Sequence, residues 1–343
     1  MLYINDPCTD PYWNLAAEEY LLKNFTQPVF RLWRNEGSII IGHYQNAFAE
    51  IDVNFVKENG IKVVRRLTGG GAVFHDLGNL NFTFIEERNP NEDTSVMFRR
   101  FTAPIIEALQ NIGVDAYLEG RNDLLIDGKK FSGNAVCIHK NRTLQHGTLL
   151  FNASMHNLGE ALKSRPEKFI GKAVQSNRSR VTNIKEHLPD SFPDGVGTIT
   201  DIQSFWNYLE QYICSRYPGI TPYSFTEEQL KEIEKLRDEK YALESWNFGT
   251  SPSYSFSKTV KLTGGIVELY MSVGKGTIKD LKIMGDYFFT LPTEEFCNRM
   301  IGTTHTPEAV LEAINQIDKN ADKCINGYFS NITANEIAGM FFE

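Results

Sequence analysis

Three consecutive glycines within Arg65-Arg66-Leu67-Thr68-Gly69-Gly70-Gly71-Ala72-Val73-Phe74-His75-Asp76 limit what this chain can become more than any other stretch. Glycine brings no side chain to a core and loses the most backbone entropy on folding, so such a run is poor helix and poor strand interior. It suits a backbone that approaches a ligand closely and turns free N–H groups towards negative oxygens. A plain hairpin turn is the competing reading. The arginines before the run and His75-Asp76 after it favour the ligand loop. The segment is neither a nucleotide P-loop, which needs G-x-x-x-x-G-K-[ST], nor a dinucleotide fingerprint, which needs G-x-G-x-x-G.

The surrounding chain reads as mixed α and β. PVFRLWR (28–34), SIIIG (38–42), IKVVRR (61–66) and LNFTFIE (80–86) predict strands, because β-branched and aromatic residues cluster between turn signals. Asn14 predicts a helix cap before LAAEEYLLKNF, and apolar residues three or four apart predict a helix over 95–112. Extended segments follow around 122–127, 131–138 and 144–151, joined by the turn signals Asp127-Gly128 and Lys140-Asn141. Residues 201–241 are mostly helical by pattern, and the charged second half reads as a solvated face. WNFGTSPSYS (246–255) has linker composition. Three strand-like runs broken at Gly264-Gly265 and Gly274-Lys275-Gly276 follow, then helical patterns near 292–301 and 306–317. A length of 343 residues suits two domains. The division predicted is 1–246 and 247–343, the second a small α+β unit.

A second chemical segment is RNDLLIDGKKFSGNA (121–135). Arg121 and Lys129-Lys130 offer positive charge and Asp123 a carboxylate, the minimum for phosphate oxygens and Mg²⁺ in ATP chemistry. By spacing alone a charged surface hairpin fits equally well. His75 reads as a hydrogen-bonded structural histidine, and His146 as either structural or pocket-lining. Neither has a second ligand at zinc spacing.

Taken together and in this order, the two segments are similar to the lipoate–protein ligase family. Asn14-Leu15-Ala16 with Glu18-Glu19, Trp33-Arg34, Ile41-Gly42 with Gln45-Asn46, HGTLLFNA (146–153), SNRSRVTNI (176–184) and FGTSPSYSF (248–256) extend the resemblance over nearly the whole chain. It implies an α+β fold: a catalytic domain of mixed β-sheets with packed helices, like that of biotin–protein ligases, and a small accessory domain. It implies that ATP and lipoate form lipoyl-AMP, and that the lipoyl group passes to a lysine of a lipoyl domain. The acceptors implied are acyltransferase subunits of 2-oxo acid dehydrogenase complexes and the glycine-cleavage H protein. The resemblance maps Arg66 and Gly71, Ala72, Val73 and Phe74, with Gly69 and Gly70, onto the nucleotide-binding loop. It adds Asn122 and Asp123 to the ATP and lipoyl-AMP site, with Asp123 the candidate Mg²⁺ ligand. Lys130 is the implied catalytic lysine holding both reacting groups, and Gly71 and His146 join it at lipoate. Leu67 departs from the small polar residue of some relatives, which removes a side-chain hydrogen bond there.

Three rivals follow from the same residues. An ATP-free acyl transferase of the same fold superfamily works through a cysteine, and Cys137 lies seven residues after Lys130. Cys137 sits in a strand-like apolar run, however, and inert cysteine is the commoner state. Biotin ligation is the second; the glycine loop resembles the lipoate branch more closely. A nucleic-acid-binding regulator is the third, with Ser176–Arg180 and Lys172 as a basic patch. A net charge of −8 disfavours it. Five scattered cysteines without C-x-x-C pairs, an acidic N-terminus and no apolar run of about 18 residues predict a cytoplasmic chain without membrane spans.

Overall fold

The alternation in Asn79–Glu87 decides the architecture, because successive strand residues face opposite sides of a sheet. The computed structural model describes residues 1–45, 47–156, 162, 181–248, 256–274, 276–319 and 324–342. Its strands are β1 (Leu2–Asn5), β2 (Val29–Trp33), β3 (Ser38–Ile41), β4 (Lys62–Arg65), β5 (Val73–His75), β6 (Asn79–Glu87) and β7 (Ala116–Glu119). Then come β8 (Asp123–Ile126), β9 (Lys129–His139), β10 (Arg142–Leu150), β11 (Thr221–Tyr223), β12 (Phe256–Leu262), β13 (Gly265–Gly274) and β14 (Thr277–Gly285). Eight form one sheet in the order β11-β1-β2-β6-β10-β9-β8-β7, and two three-stranded sheets run β4-β3-β5 and β12-β13-β14.

One face of the large sheet carries Phe30, Leu32, Leu80, Phe82, Phe84 and Leu149 against the helices Thr94–Asn111 and Ile202–Arg216. The opposite face carries Arg31, Trp33, Asn81, Thr83 and His146, all buried. It is covered by the helix Pro11–Asn24 and by the small sheet, where Trp33 clusters with Leu15, Ala16, Ile40 and Val64. Burying aromatic and polar groups between two sheets creates the space in which chemistry can occur.

Most predicted elements are present, and the fold is α+β. Asn14 is not the helix cap. Asp10 caps Tyr12, Pro11 opens the helix, and Asn14 lies buried within it, donating to the Cys8 and Arg34 carbonyls at 2.9 Å each. The short strands β1, β5, β7 and β11 escape sequence reading, since they lack the clustered β-branched residues or flanking turn signals that mark β3, β4 and β8 at similar length. Both hairpin turns use positive φ, at Asp127 and Gly128 (50° and 72°) and at Lys140 (53°). Asn46, Lys172, Ser176–Arg180, Lys275 and the linker residues 249–255 lie outside the described residues.

The C-terminal sheet and its helices build a second core around Val267, Leu269, Phe296 and Tyr328. The two cores interlock. Phe288 enters the first, its ring 5.8 Å from Phe98, while Tyr44 enters the second and donates to Glu294 at 2.7 Å. Among the described residues no helix is long and apolar enough to cross a membrane.

Gly42 is where the small sheet meets the glycine loop. A Cβ there would stand 2.0 Å from the Gly70 carbonyl oxygen, a clash with backbone that only a loop shift relieves. Gly42→Ala should therefore lower unfolding free energy by about 1–3 kcal/mol. Urea unfolding followed by tryptophan fluorescence measures this; an unchanged midpoint would show that the loop moves freely.

Candidate active site

Between the polar sheet face and the small sheet lies a cavity of about 120 Å³. Arg66, Gly70, Gly71, Ala72, Val73, Asn122, Lys130 and His146 line it, eight of the residues singled out from the sequence. Gly69, Phe74 and Asp123 do not. Phe74 points the other way along β5, into a cluster with Ile39, Ile41 and Val63, as strand alternation requires. The lining also takes Leu15, Trp33, Ile40 and Ala135 as apolar surface, and His75, Asn81, Asn134 and Thr148 as polar surface. It is a mixed pocket with apolar and polar walls.

Arg66 shapes the glycine loop from within. Its guanidinium donates to the Ile40 carbonyl at 2.9 Å, to the Gly69 and Gly71 carbonyls at 2.8 Å each, and to the Thr68 hydroxyl at 2.9 Å. With its Gly69 and Gly71 carbonyls held by the guanidinium, the loop has N–H groups to offer an anion. Burial lowers the Arg66 pKa to about 10, so the group stays charged at neutral pH. Gly70 adopts φ +90°, which a side chain tolerates poorly. The C-terminal segment covers part of this loop: a Cβ on Gly69 would meet the Tyr287 carbonyl at 2.5 Å. Arg121, read from sequence as a phosphate cation, turns there too, donating to the Gly264 carbonyl at 2.9 Å and stacking 4.0 Å from the Phe288 ring.

Lys130 reaches the cavity through an irregularity in pairing. The register of β8 against β9 slips between Leu124 and Leu125, which oppose Ser132 and Lys130, so Phe131 is the extra residue. Lys129 is exposed, Lys130 lines the cavity, and Phe131 enters the core. Lys130 Nζ lies 2.7 Å from Asp123 Oδ1, with both side chains about two-fifths exposed (38% and 41%). Asn122 braces β9 by donating to the Asn134 carbonyl at 2.7 Å. Among the described residues no group of three His, Cys, Asp or Glu could hold a metal by itself. A single solvent-facing carboxylate does fit Mg²⁺, which keeps its waters and binds one or two carboxylates with substrate phosphates.

Sequence reading missed a buried polar chain. Trp33 Nε1 donates to Thr83 Oγ1 at 2.8 Å, Thr83 donates to Glu18 at 2.5 Å, and Glu18 meets His146 Nδ1 at 3.0 Å. His146 Nε2 then lies 2.8 Å from Thr68 Oγ1, which takes the Arg66 bond. The chain links sheet, helix and glycine loop through residues far apart in sequence. Burial alone pushes the Glu18 carboxyl up, but the attraction and hydrogen bond of His146, the Thr83 hydroxyl and Arg31 together bring it below its ordinary 4.5. A depressed carboxyl contributes stability that is fully present above its unfolded value and is lost as pH falls through the folded one. Glu18→Gln should therefore cost about 3 kcal/mol near neutrality, with the difference from the parent chain shrinking below pH 4.5. Parallel urea titrations at several pH values check the sign.

Cys137 carries no sign of a nucleophile. Burial, with Glu19 and Glu18 nearby, raises its thiol to about 12, so thiolate is scarce at neutral pH, and it does not line the cavity.

Residues 10–205 match the family described as "Lipoyl protein ligase A/B catalytic domain", and residues 251–341 match "Bacterial lipoate protein ligase C-terminus". The chain is 37% identical to lipoate–protein ligase LplJ of Bacillus subtilis, over 100% of both chains. It is 38% identical to lipoate–protein ligase 1 of Staphylococcus aureus, over 97% of each. P. falciparum LipL1 in complex with lipoate superposes with a TM-score of 0.74 at 27% identity, covering 92% of this chain and 94% of that one. The structure of a bipartite lipoate protein ligase and its E2 lipoyl domain from Thermoplasma acidophilum gives 0.63 at 30% identity, covering 74% of this chain and 98% of that one. A lipoate–protein ligase A bound with ATP gives 0.60 at 30%, with 72% and 97% covered. Residue pattern, cavity and relatives agree, and this chain is a member of the lipoate–protein ligase family.

Proposed function

We propose that the enzyme uses ATP to convert lipoate to lipoyl-AMP and passes the lipoyl group to one lysine of a lipoyl domain. The observation that carries this is Lys130, a cation at the edge of a cavity walled by an arginine-braced glycine loop. Adenylation brings a carboxylate against the α-phosphate, two anions that repel. A fixed cation between them lowers the repulsion and stabilises charge that builds in the transition state. Lysine suits this as a point charge reaching two oxygens at once. Asp123 pairs with Lys130 at 2.7 Å, and its solvent-facing carboxylate would hold Mg²⁺, which when bound would neutralise phosphate charge. Arg66, Gly69, Gly70, Gly71, Ala72, Val73 and Phe74 would form the nucleotide loop, Phe74 through its backbone. Asn122 would steady β9, and His146 would line the lipoate end.

The acceptors we propose are lipoyl domains of 2-oxo acid dehydrogenase acyltransferase subunits and the glycine-cleavage H protein. The division at 246/247 we propose as that between catalytic and accessory units. Because residues 286–288 sit over the glycine loop, the accessory unit would have to withdraw to admit a protein acceptor. A cytoplasmic location completes the reading.

The deciding assay is the mass shift of a lipoyl domain incubated with the protein, ATP, Mg²⁺ and lipoate, with pyrophosphate release followed separately. Lys130→Ala should slow adenylation by the order of 10²–10³, while Lys129→Ala, on the exposed side, should change it little. Lys130→Arg should restore only part, since a planar fork does not occupy the same point. If Lys129→Ala were the more damaging change, the assignment would be off by one residue. Cys137→Ser should keep both half-reactions near the parent rates, and a lipoyl shift without ATP would favour the cysteine route instead.

A further inference from the structure

Three buried polar atoms of cavity-lining residues lack a partner among the described residues: His75 Nε2, Asn81 Nδ2 and the acceptor Asn134 Oδ1. His75 and Asn81 are 2% and 1% exposed, both line the cavity, and neither His75 Nε2 nor Asn81 Nδ2 has a hydrogen-bonding atom among the described residues. Leaving a buried donor unpaired is costly, so such groups call for an occupant that meets them.

The polarity of His75 is set from a distance. Arg31 can only donate, and its Nη2 bonds Asn14 Oδ1. That turns Asn14 Nδ2 towards the Cys8 and Arg34 carbonyls and Asn35 Oδ1, three oxygens at 2.9 Å that share its two N–H groups, and so Asn35 Nδ2 onto His75 Nδ1 at 3.1 Å. Nδ1 must therefore accept. Burial first, then the charge of Arg66, lowers the ring's pKa to about 3, so it is neutral and its one proton sits on Nε2. Asn81 takes the Asn79 amide on Oδ1 at 2.9 Å, which leaves its Nδ2 unpartnered on a residue that lines the cavity, as Asn79 Oδ1 is left at the other end of that pair.

Their place in the sheet says what they meet. Trp33 pairs with Asn81 and Asn81 with Thr148, all on one face, and the Gly133 amide donates to Thr148 Oγ1 at 3.1 Å. Lys130 Nζ stands 3.1 Å from where a Gly133 Cβ would be. The order along the pocket is thus Lys130, Gly133, Thr148, Asn81, Trp33, with the His75 ring 6.3 Å from that of Trp33. Two strand spacings, roughly 10 Å, separate Asn81 from β9. With a carboxylate at Lys130, a short acyl chain crosses the pocket and its ring ends beside His75 and Asn81.

We propose that His75 Nε2–H and the Asn81 amide are specificity determinants that recognise the ring sulfurs of the acyl substrate. The proposal rests on the lipoate-activation reading. Divalent sulfur is polarisable and a weak acceptor, whereas methylene groups offer these donors nothing. The pocket therefore discriminates by chemistry as well as by size.

The test compares lipoate with its carbocyclic analogue, in which both ring sulfurs are methylenes, so shape is nearly constant. With the full chain, ATP and Mg²⁺, pyrophosphate release should favour lipoate about tenfold in kcat/KM, mainly through KM. Asn81→Leu and His75→Phe should each narrow that ratio about fivefold, with the carbocyclic acid gaining. Equal use of the two acids by the parent enzyme overturns the proposal, and this needs no variant to fold. Variants that weaken both acids equally overturn it as well, since the donors would then serve the shared chain or head group. If neither acid releases pyrophosphate, the activation reading fails instead. Calorimetric binding of the two acids to the full chain then decides the proposal: tenfold tighter lipoate supports it, and equal affinity sinks it.

Discussion

A guanidinium buried inside a sheet sandwich is the constraint around which the structure is arranged. Arg31 is fully buried, lies 5.6 Å and 5.5 Å from the Trp13 and Trp33 rings, and donates to the Asn14 carbonyl and carboxamide. An uncompensated buried cation would be expensive, and aromatic faces with oriented amides supply part of what water would. Satisfying it fixes Asn14, which fixes Asn35, which fixes His75. One electrostatic requirement in the middle of β2 thereby reaches the wall of the cavity.

A second arginine does for the loop what the first does for the sheet. Arg66 gathers carbonyls from β3 and from both sides of the glycine run, so a segment with little propensity of its own acquires one shape. Arg65, its neighbour, binds the Gly42, His43 and Gln45 carbonyls and those of Trp246 and Asn247. Alternate arginines thus serve opposite purposes: one forms the site, and the other ties it to the residues leading to the C-terminal unit. The wall of the pocket at His146 depends on the Glu18–His146 chain, whose satisfied hydrogen bonds hold it in one arrangement.

Much of this was legible in the residues. The glycine loop, the Asp123–Lys130 segment and the strands around them are local patterns, and local patterns survive as written. Strand alternation puts Lys129 and Lys130 on opposite faces, and the slip in pairing at Phe131 accompanies the inward place of Lys130. Asn14 shows the limit: its capping propensity is real, yet Asp10 with Pro11 offers a better start, and the freed carboxamide is then used in the core. Arg121 shows another, since its charge suggested phosphate while Phe288 and the Gly264 carbonyl claim it. His146 could not be placed from sequence because its partner Glu18 lies 128 residues away.

By itself, the sequence determined the fold class and the family and singled out the residues proposed to carry the chemistry, because each rests on short-range spacing and on side-chain types that few other functions require. Tertiary structure alone decided which of them face one cavity. That depends on strand register, and a slip of one residue sends every side chain to the opposite face. It also decided that His75 presents a proton to the pocket, that Cys137 stays a thiol, and that Phe288 closes over the loop. These are consequences of burial and of partners distant in the chain, which no local pattern encodes.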